Sequence, residues 1–137
     1  MNFHNNDDTP YRRLPNIVFV FGSNLAGRHG KGAAYTARIY YGAQLGSGIG
    51  MIRRSYAIPT KDNYLNILPL DIIESYISDF VAFTNMSSAQ CLHFFVTKVG
   101  TGLAGYSDRD IAPLFLGARN CIFSENWKDY LNETRYD

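Results

Sequence analysis

Two continuous apolar runs, each followed closely by glycines, constrain the fold of this chain more than any other sequence feature. Residues 16–21 (NIVFVF) and residues 91–97 (CLHFFVT) are rich in β-branched and aromatic side chains. A strand of a parallel sheet is covered on both faces, so its sequence is a continuous apolar run rather than an alternating pattern. Both runs are therefore predicted to be buried strands of one parallel sheet.

Predicted helices alternate with predicted strands along the chain. Residues 33–43 and 69–83 are predicted helices, and in the second one apolar residues recur at helical spacing. Residues 54–60 and 121–123 are predicted to be further strands. This alternation predicts an α/β fold, a three-layer α/β/α sandwich around a mostly parallel, mixed sheet.

Two shorter helices are predicted in the last third of the chain. Asp110 is the expected N-cap of a helix that runs to residue 119, because Pro113 is tolerated only in a first turn. The final helix is expected to begin at Ser124. Trp127 in that helix, and His93 in the strand before it, are expected in or near the core.

With 137 residues, 46% apolar and 18% charged, the chain has the size and composition of one globular domain. We predict that residues 16–137 form that domain and that the polar residues 1–15 are a poorly ordered lead-in. No apolar run is long enough to cross a bilayer and no signal-peptide pattern opens the chain, so no membrane partner is expected. Cys91 and Cys121 cannot form a zinc site alone and are expected to be reduced core thiols of a cytoplasmic protein.

The formal net charge of +1 conceals an uneven distribution. Six basic and no acidic residues lie between residues 22 and 61, whereas four acidic and no basic residues lie between residues 62 and 90. The total charge gives no general attraction to nucleic acid or acidic membranes. The basic half, however, contains the first of two glycine-rich loops.

The first glycine loop (residues 22–32) and the second glycine loop (residues 100–105) each follow a predicted strand and precede a predicted helix. In open α/β sheets, ligands bind beyond the carboxyl ends of the strands. Glycines at that edge let backbone N–H groups approach phosphate oxygens, and a helix N-terminus adds a positive dipole. Neither loop has the GxxxxGK[ST] pattern, and the first lacks GxGxxG. A tight turn would explain one such loop, but two at equivalent positions predict a phosphate-binding cleft.

Four segments in this order resemble a macrodomain: residues 16–24 (NIVFVFGSN) with the glycines that follow, 54–61 (RSYAIPTK), 94–106 (FFVTKVGTGLAGY) and 121–130 (CIFSENWKDY). The second is most similar to the macrodomain branch that removes ADP-ribose from acidic side chains. The resemblance covers roughly residues 16–131. It implies a macrodomain-like sandwich whose partner is a small-molecule nucleotide of the ADP-ribose type, free or carried on an ADP-ribosylated protein or nucleic acid.

The resemblance also implies site residues, most of them in the two glycine loops. The implied substrate-binding residues are Gly22, Ser23, Asn24, Leu25, Gly30, Lys31, Gly32, Gly100, Thr101, Gly102, Leu103, Ala104, Gly105, Tyr106 and Phe123. The implied catalytic residues are Lys61, as a nucleophile at the ribose carbon, and Asp108, as an activator of water. Neither a metal nor a cofactor is expected.

Each of these roles has a simpler alternative. Asn24 either hydrogen-bonds the distal ribose or ends a strand in a turn, and Phe123 either stacks on adenine or fills the core. Lys61 is a nucleophile only if it loses its proton, which the adjacent Asp62 would hinder. Asp108 could instead be an acid at a helix start. His29 contacts a phosphate or is merely solvated.

Two positions depart from the macrodomain pattern. The region around residues 14–18 has no acidic residue to bind the adenine amine, and Ala104 stands where the hydrolase branch has an aspartate. Two functions therefore remain open: hydrolysis of an ADP-ribosyl bond, or a non-catalytic module that recognises or sequesters an ADP-ribose-type nucleotide. A purely structural protein is disfavoured, because it gives no reason for two glycine loops.

Overall fold

The computed structural model describes residues 2–131. Within them, the chain is an α/β protein with a six-stranded, mostly parallel mixed sheet and four α-helices. The strands are β1 (Asn2–His4), β2 (Ile17–Asn24), β3 (Gly50–Ile52), β4 (Ser55–Lys61), β5 (His93–Val96) and β6 (Cys121–Ser124). The helices are α1 (Gly32–Tyr40), α2 (Leu70–Thr84), α3 (Asp108–Ile111) and α4 (Lys128–Leu131).

The strand order is β1-β6-β5-β2-β4-β3. All neighbours pair in parallel except β3, which runs antiparallel to β4 at one edge. The prediction of a mostly parallel, mixed sheet is therefore confirmed. Because β2 lies between β5 and β4, the carboxyl ends of these three strands meet at one edge, and the loops that follow them converge there.

The packing of strand β2 explains why its sequence is a continuous apolar run. Val18 and Val20 belong to one buried apolar cluster, together with side chains of α2 such as Ile77. Phe19 and Phe21, which point to the opposite face, belong to a second cluster with Ala37 of α1 and with Tyr41. Both faces of the central strand are therefore covered over residues 17–21, and its polar residues, Ser23 and Asn24, lie at its carboxyl end.

The polar residues 2–15, predicted to be a poorly ordered lead-in, are structured. The strand β1 pairs with β6, and His4 is buried, with Nε2 2.8 Å from the Val96 carbonyl oxygen. The His4 ring also stacks on Phe95 at a centroid distance of 3.8 Å. The prediction was wrong because it was based on the local composition, whereas the segment gains its order from pairing with a strand more than 100 residues away.

Asp8 fastens the rest of this segment to the fold. Its carboxylate accepts hydrogen bonds from Arg12 Nε at 2.8 Å and from the Tyr41 hydroxyl at 2.9 Å. The guanidinium of Arg54 donates in turn to the backbone carbonyl oxygens of Arg12 and Leu14. Burial alone would raise the pKa of Asp8, but the hydrogen bonds from Arg12 and Tyr41 outweigh it and lower the pKa below its usual value.

The prediction of a helix from Asp110 to residue 119 is wrong. Ser107 is the N-cap, since its hydroxyl oxygen accepts a hydrogen bond from the Asp110 backbone N–H. The α-helical part ends at Ile111, and Pro113 lies in the first turn of a 3-10 segment, Ala112–Phe115. In the last helix, Ser124 does cap the first turn, which is 3-10 rather than α-helical.

Several smaller predictions are corrected as well. The glycine-containing stretch after α1, predicted to be loop, includes the short edge strand β3. Cys91 and His93 are exposed rather than core residues, whereas Cys121 is buried and burial raises the pKa of its thiol to about 12. None of the helices within residues 2–131 has the length and apolar character needed to span a membrane.

Candidate functional site

A cleft of about 570 Å³ opens at the carboxyl ends of β2, β4 and β5, between the two glycine loops. Its walls come from four parts of the chain: the end of β2 with the first glycine loop, the start of α1, the end of β4, and the segment from β5 into the second glycine loop. The lining residues are Gly22, Ser23, Asn24, Arg28, Gly30, Lys31, Gly32, Ala33, Ala34, Thr60, Lys61, Leu65, Thr97, Lys98, Val99, Gly100, Gly102, Leu103 and Ala104.

Glycines allow the two walls to approach each other. A Cβ atom at Gly22 would lie 3.6 Å from the backbone nitrogen of Gly100, so that larger side chains would push the second loop away. Gly100 has a positive φ of +78°, which L-residues rarely adopt. A Cβ atom at Gly102, in contrast, would meet no heavy atom within 4 Å. Gly102 therefore leaves space in the cleft itself.

The charged side chains in this lining are all basic: Arg28, Lys31, Lys61 and Lys98. No carboxylate of the described residues lines the cleft. Helix α1 begins at Gly32 without a side-chain cap, and its first residues form part of the wall, so the unpaired N–H groups of the first turn face this region. Cations and helix-start amides together make the cleft suited to an anion.

Asn24 lines the cleft, but its side chain is engaged within the first glycine loop. The Oδ1 atom accepts a hydrogen bond from the Arg28 backbone N–H, and Nδ2 donates one to the Arg28 carbonyl oxygen, both at 2.9 Å. This pair of hydrogen bonds closes the turn that carries Arg28 to the cleft. The geometry favours the turn role for Asn24 and leaves one N–H of its amide for a ligand.

Lys61 is the last residue of β4 and lines the cleft. The adjacent Asp62 does not pair with it: Asp62 Oδ1 accepts hydrogen bonds from the backbone N–H groups of Tyr64 at 2.8 Å and Asn66 at 2.9 Å. Hydrogen bonds from Asn66 and Tyr64 lower the pKa of Asp62. In the part of the chain that the structure describes, Lys61 forms no ion pair. Lys61 and Asp62 are therefore adjacent in sequence but do not form an ion pair.

Asp108 and Phe123 are not brought into the cleft. One carboxylate oxygen of Asp108 accepts a hydrogen bond from the Trp127 indole N–H at 2.9 Å and lies 3.2 Å from Lys98 Nζ. The Phe123 ring is 1% exposed and packs against Phe115 and Trp127. Asp108 therefore has the position of a helix-start acid, and Phe123 that of a core side chain.

The remaining predicted residues, Leu25, Thr101, Gly105 and Tyr106, do not line the cleft. The Tyr106 hydroxyl donates to the Leu68 carbonyl oxygen at 2.7 Å, which ties the second glycine loop to the segment after β4. The Thr101 hydroxyl donates to the Lys98 carbonyl oxygen, and the Leu25 backbone N–H donates to the Lys61 carbonyl oxygen. Gly105 has a positive φ of +79° and turns the chain toward α3. These residues shape the loops without lining the cleft.

A second cavity of about 340 Å³, here called the side cavity, adjoins the cleft and shares Ala33, Thr97 and Lys98 with it. Its other lining residues come from the start of the chain, from strands β2 and β5, and from α1. They are His4, Asn6, Asp8, Phe19, Thr36 and Phe95. Residues 14–18, where the macrodomain resemblance implies an acidic residue, contain none. Asp8 lines the side cavity instead, because β1 pairs with β6 and carries the start of the chain alongside the sheet.

The sequence carries no signal for this arrangement. Residues 2–8 lack the run of four to eight strand-forming residues that predicts a strand. Comparison of the chain with protein-family models, with curated proteins and with solved structures found no match. The chemistry of the site is therefore inferred from its own residues.

Proposed function

We propose that the cleft binds a nucleotide of the ADP-ribose type, with its diphosphate on the backbone N–H groups of the α1 start and the second glycine loop. One observation carries this proposal: four basic side chains, five glycines and no described carboxylate line the cleft. Lys98 pairs with Asp108, whereas the other three cations form no ion pair within residues 2–131. Backbone donors near glycines bind phosphate oxygens closely, and the surrounding cations offset the negative charge.

The side cavity supports a nucleotide rather than a simple phosphate. A heteroaromatic base needs an apolar wall and a few polar partners. The side cavity is lined by the polar side chains Asn6 and Asp8 and by the buried Phe95, whose ring is already stacked on His4. It adjoins the cleft through Lys98, so a base and a diphosphate of one molecule could occupy both.

Apolar clusters on both faces of the sheet also support a three-layer α/β/α sandwich of macrodomain type.

Calorimetric titration with ADP-ribose, AMP and NAD tests the proposal. We expect ADP-ribose to bind, and AMP to bind more weakly because it lacks the second phosphate and the distal ribose. Inorganic phosphate serves as the control for attraction by charge alone. Absence of heat and of any thermal shift with all three nucleotides at millimolar concentration would contradict the proposal.

Hydrolysis of an ADP-ribosyl bond is the second candidate function, and Lys61 is the observation that favours it. Lys61 lines the cleft and has no ion pair among the described residues, so its amine, once it has lost a proton, can attack the ribose carbon and displace the group that this carbon bears. Ala104 and the engagement of Asp108 with Trp127 favour binding without turnover.

Mass spectrometry of ADP-ribosylated proteins and oligonucleotides incubated with the protein separates the two functions. If Lys61 is the nucleophile, Lys61→Ala abolishes release and any adduct trapped by borohydride, yet changes the affinity for ADP-ribose little. Lys128→Ala, at an exposed position of α4, is the matched control. A wild-type protein that binds ADP-ribose but releases none from any carrier is a binding module.

A further inference from the structure

The first glycine loop is interlocked with a second backbone segment, the turn of residues 44–48. The Gly46 backbone N–H donates to the Gly27 carbonyl oxygen at 2.9 Å, and the Ser23 hydroxyl donates to the Gly48 carbonyl oxygen. A Cβ atom at Gly27 would overlap the backbone of this turn, and one at Gly48 would overlap the Asn24 carbonyl oxygen. The two segments therefore meet backbone to backbone.

His29 connects the same two segments from inside the protein. Its side chain is fully buried, and Nε2 lies 2.9 Å from the Gln44 carbonyl oxygen and 3.1 Å from the Ser47 carbonyl oxygen. Because both partners are acceptors, Nε2 must carry the proton and donate to them. The ring also packs edge-on against Phe21 of β2, at a centroid distance of 5.4 Å. His29 is thus neither solvated nor among the residues that line the cleft.

The other ring nitrogen, His29 Nδ1, has no hydrogen-bond partner, and it is the single buried side-chain nitrogen or oxygen within residues 2–131 in that state. A buried polar atom without a partner costs free energy, which a phenylalanine of similar size would avoid. The hydrogen bonds of Nε2 offset this cost. They act next to the cleft, since Arg28 and Gly30, the two neighbours of His29, both line it.

We propose that His29 is a positioning residue that holds the first glycine loop in its ligand-binding conformation by tethering it to residues 44–48. The proposal rests on the proposed function of the cleft, because it concerns the loop that would bind the nucleotide. Without the tether, the loop spends only part of the time in that conformation, and the apparent dissociation constant rises by the inverse of that fraction. The effect on binding is therefore indirect, through Arg28 and the backbone beside it.

Amide hydrogen exchange and ADP-ribose calorimetry on three variants test the tether. His29→Phe keeps a buried ring but removes the donor, and His29→Gln restores a donor through its side-chain amide. His93→Phe makes the same change at an exposed histidine and is the control. For His29→Phe we expect faster exchange in residues 24–31 and 44–48 together, unchanged exchange in α2, and affinity about tenfold weaker.

His29→Gln is expected to recover most of the protection and most of the affinity, and His93→Phe to resemble the wild type. Unchanged exchange in the two segments of His29→Phe would overturn the proposal, as would a His29→Gln variant as defective as His29→Phe, because ring packing would then be the cause. If His29→Phe fails to fold, the exchange of His29→Gln is compared with that of the wild type. Protection of both segments in His29→Gln supports the tether, and loss of protection there overturns it. A wild-type protein that does not bind ADP-ribose refutes the proposed function, while the exchange data still decide the tether.

Discussion

Asn24 shows how one side chain at the cleft can serve the loop and the ligand in different ways. Its amide closes the turn to Arg28 through two hydrogen bonds, each worth about 0.5–1.5 kcal/mol net. We expect Asn24→Ala to weaken ADP-ribose binding about three- to tenfold. Calorimetry with AMP identifies the cause: a looser loop weakens both ligands, whereas a lost contact to the distal ribose weakens ADP-ribose alone. Unchanged affinity for both would refute either role.

His4 makes stability depend on pH. Burial lowers its pKa below the usual value, although the hydrogen bond to the Val96 carbonyl oxygen acts in the opposite direction. The folded state therefore binds the proton less tightly than the unfolded state. The neutral His4 ring contributes fully to the free energy of unfolding above its pKa in the unfolded state, about 6.5. This contribution is lost as the pH falls through the lower pKa of the folded state.

Comparison of the wild type with His4→Phe isolates this effect. The phenylalanine keeps the stack on Phe95 but cannot be protonated, so we expect the melting temperature of the wild type to fall by a few degrees more than that of the variant between pH 7.5 and pH 5. His93→Phe, at an exposed site, is expected to follow the wild type. Parallel pH curves for wild type and His4→Phe would contradict the assignment.

At the scale of the elements, the second glycine loop separates binding from folding. A side chain at Gly102 meets no protein atom within 4 Å and lies in the cleft, so Gly102→Val fills ligand space without disturbing the loop. We expect calorimetry to find no ADP-ribose binding in this variant, with a melting temperature near that of the wild type. Ser88→Val, on an exposed 3-10 turn, is the control. Tight binding by Gly102→Val would show that the nucleotide lies elsewhere.

Helix α2 has the opposite character, because it stabilises the sheet and lies outside the cleft. Phe80 is fully buried and packs edge-on against Phe94 of β5 and against Tyr56 of β4. Phe80→Ala is expected to lower the free energy of unfolding by about 3–5 kcal/mol, as measured by urea denaturation. The folded fraction should still bind ADP-ribose with nearly unchanged affinity. A loss below about 1 kcal/mol would mean that the helix is loosely packed.

For the whole molecule, the sequence predicted best where a pattern had a single physical cause. The apolar run in β2 follows from burial on both faces of the sheet, and the helical spacing in α2 follows from burial of one face of the helix. Helix α2 lies within one residue of its predicted bounds, whereas β2 begins one residue later than predicted and continues three residues further, to Asn24. The two glycine loops also lie at one edge of the sheet, as strand order requires.

The predictions that differed depend on contacts between distant residues. The strand β1 forms through pairing with β6, which the polar composition of residues 1–15 did not reveal. Asp8 reaches the side cavity, and Asp108 binds Trp127 Nε1, for the same reason: tertiary neighbours decide which side chains face a cavity. His29 looked like a solvated loop residue because its acceptors, two backbone carbonyl groups, have no signature in sequence.

In the proposed complex, the start of α1 and the second glycine loop together bind a diphosphate. A crystal structure of the protein grown with ADP-ribose tests it most directly. We expect diphosphate oxygens within hydrogen-bond distance of the backbone N–H groups of residues 32–34, 100 and 102–104, and the adenine in the side cavity near Asp8. A diphosphate bound away from both loops, with the cleft filled only by solvent, would contradict it.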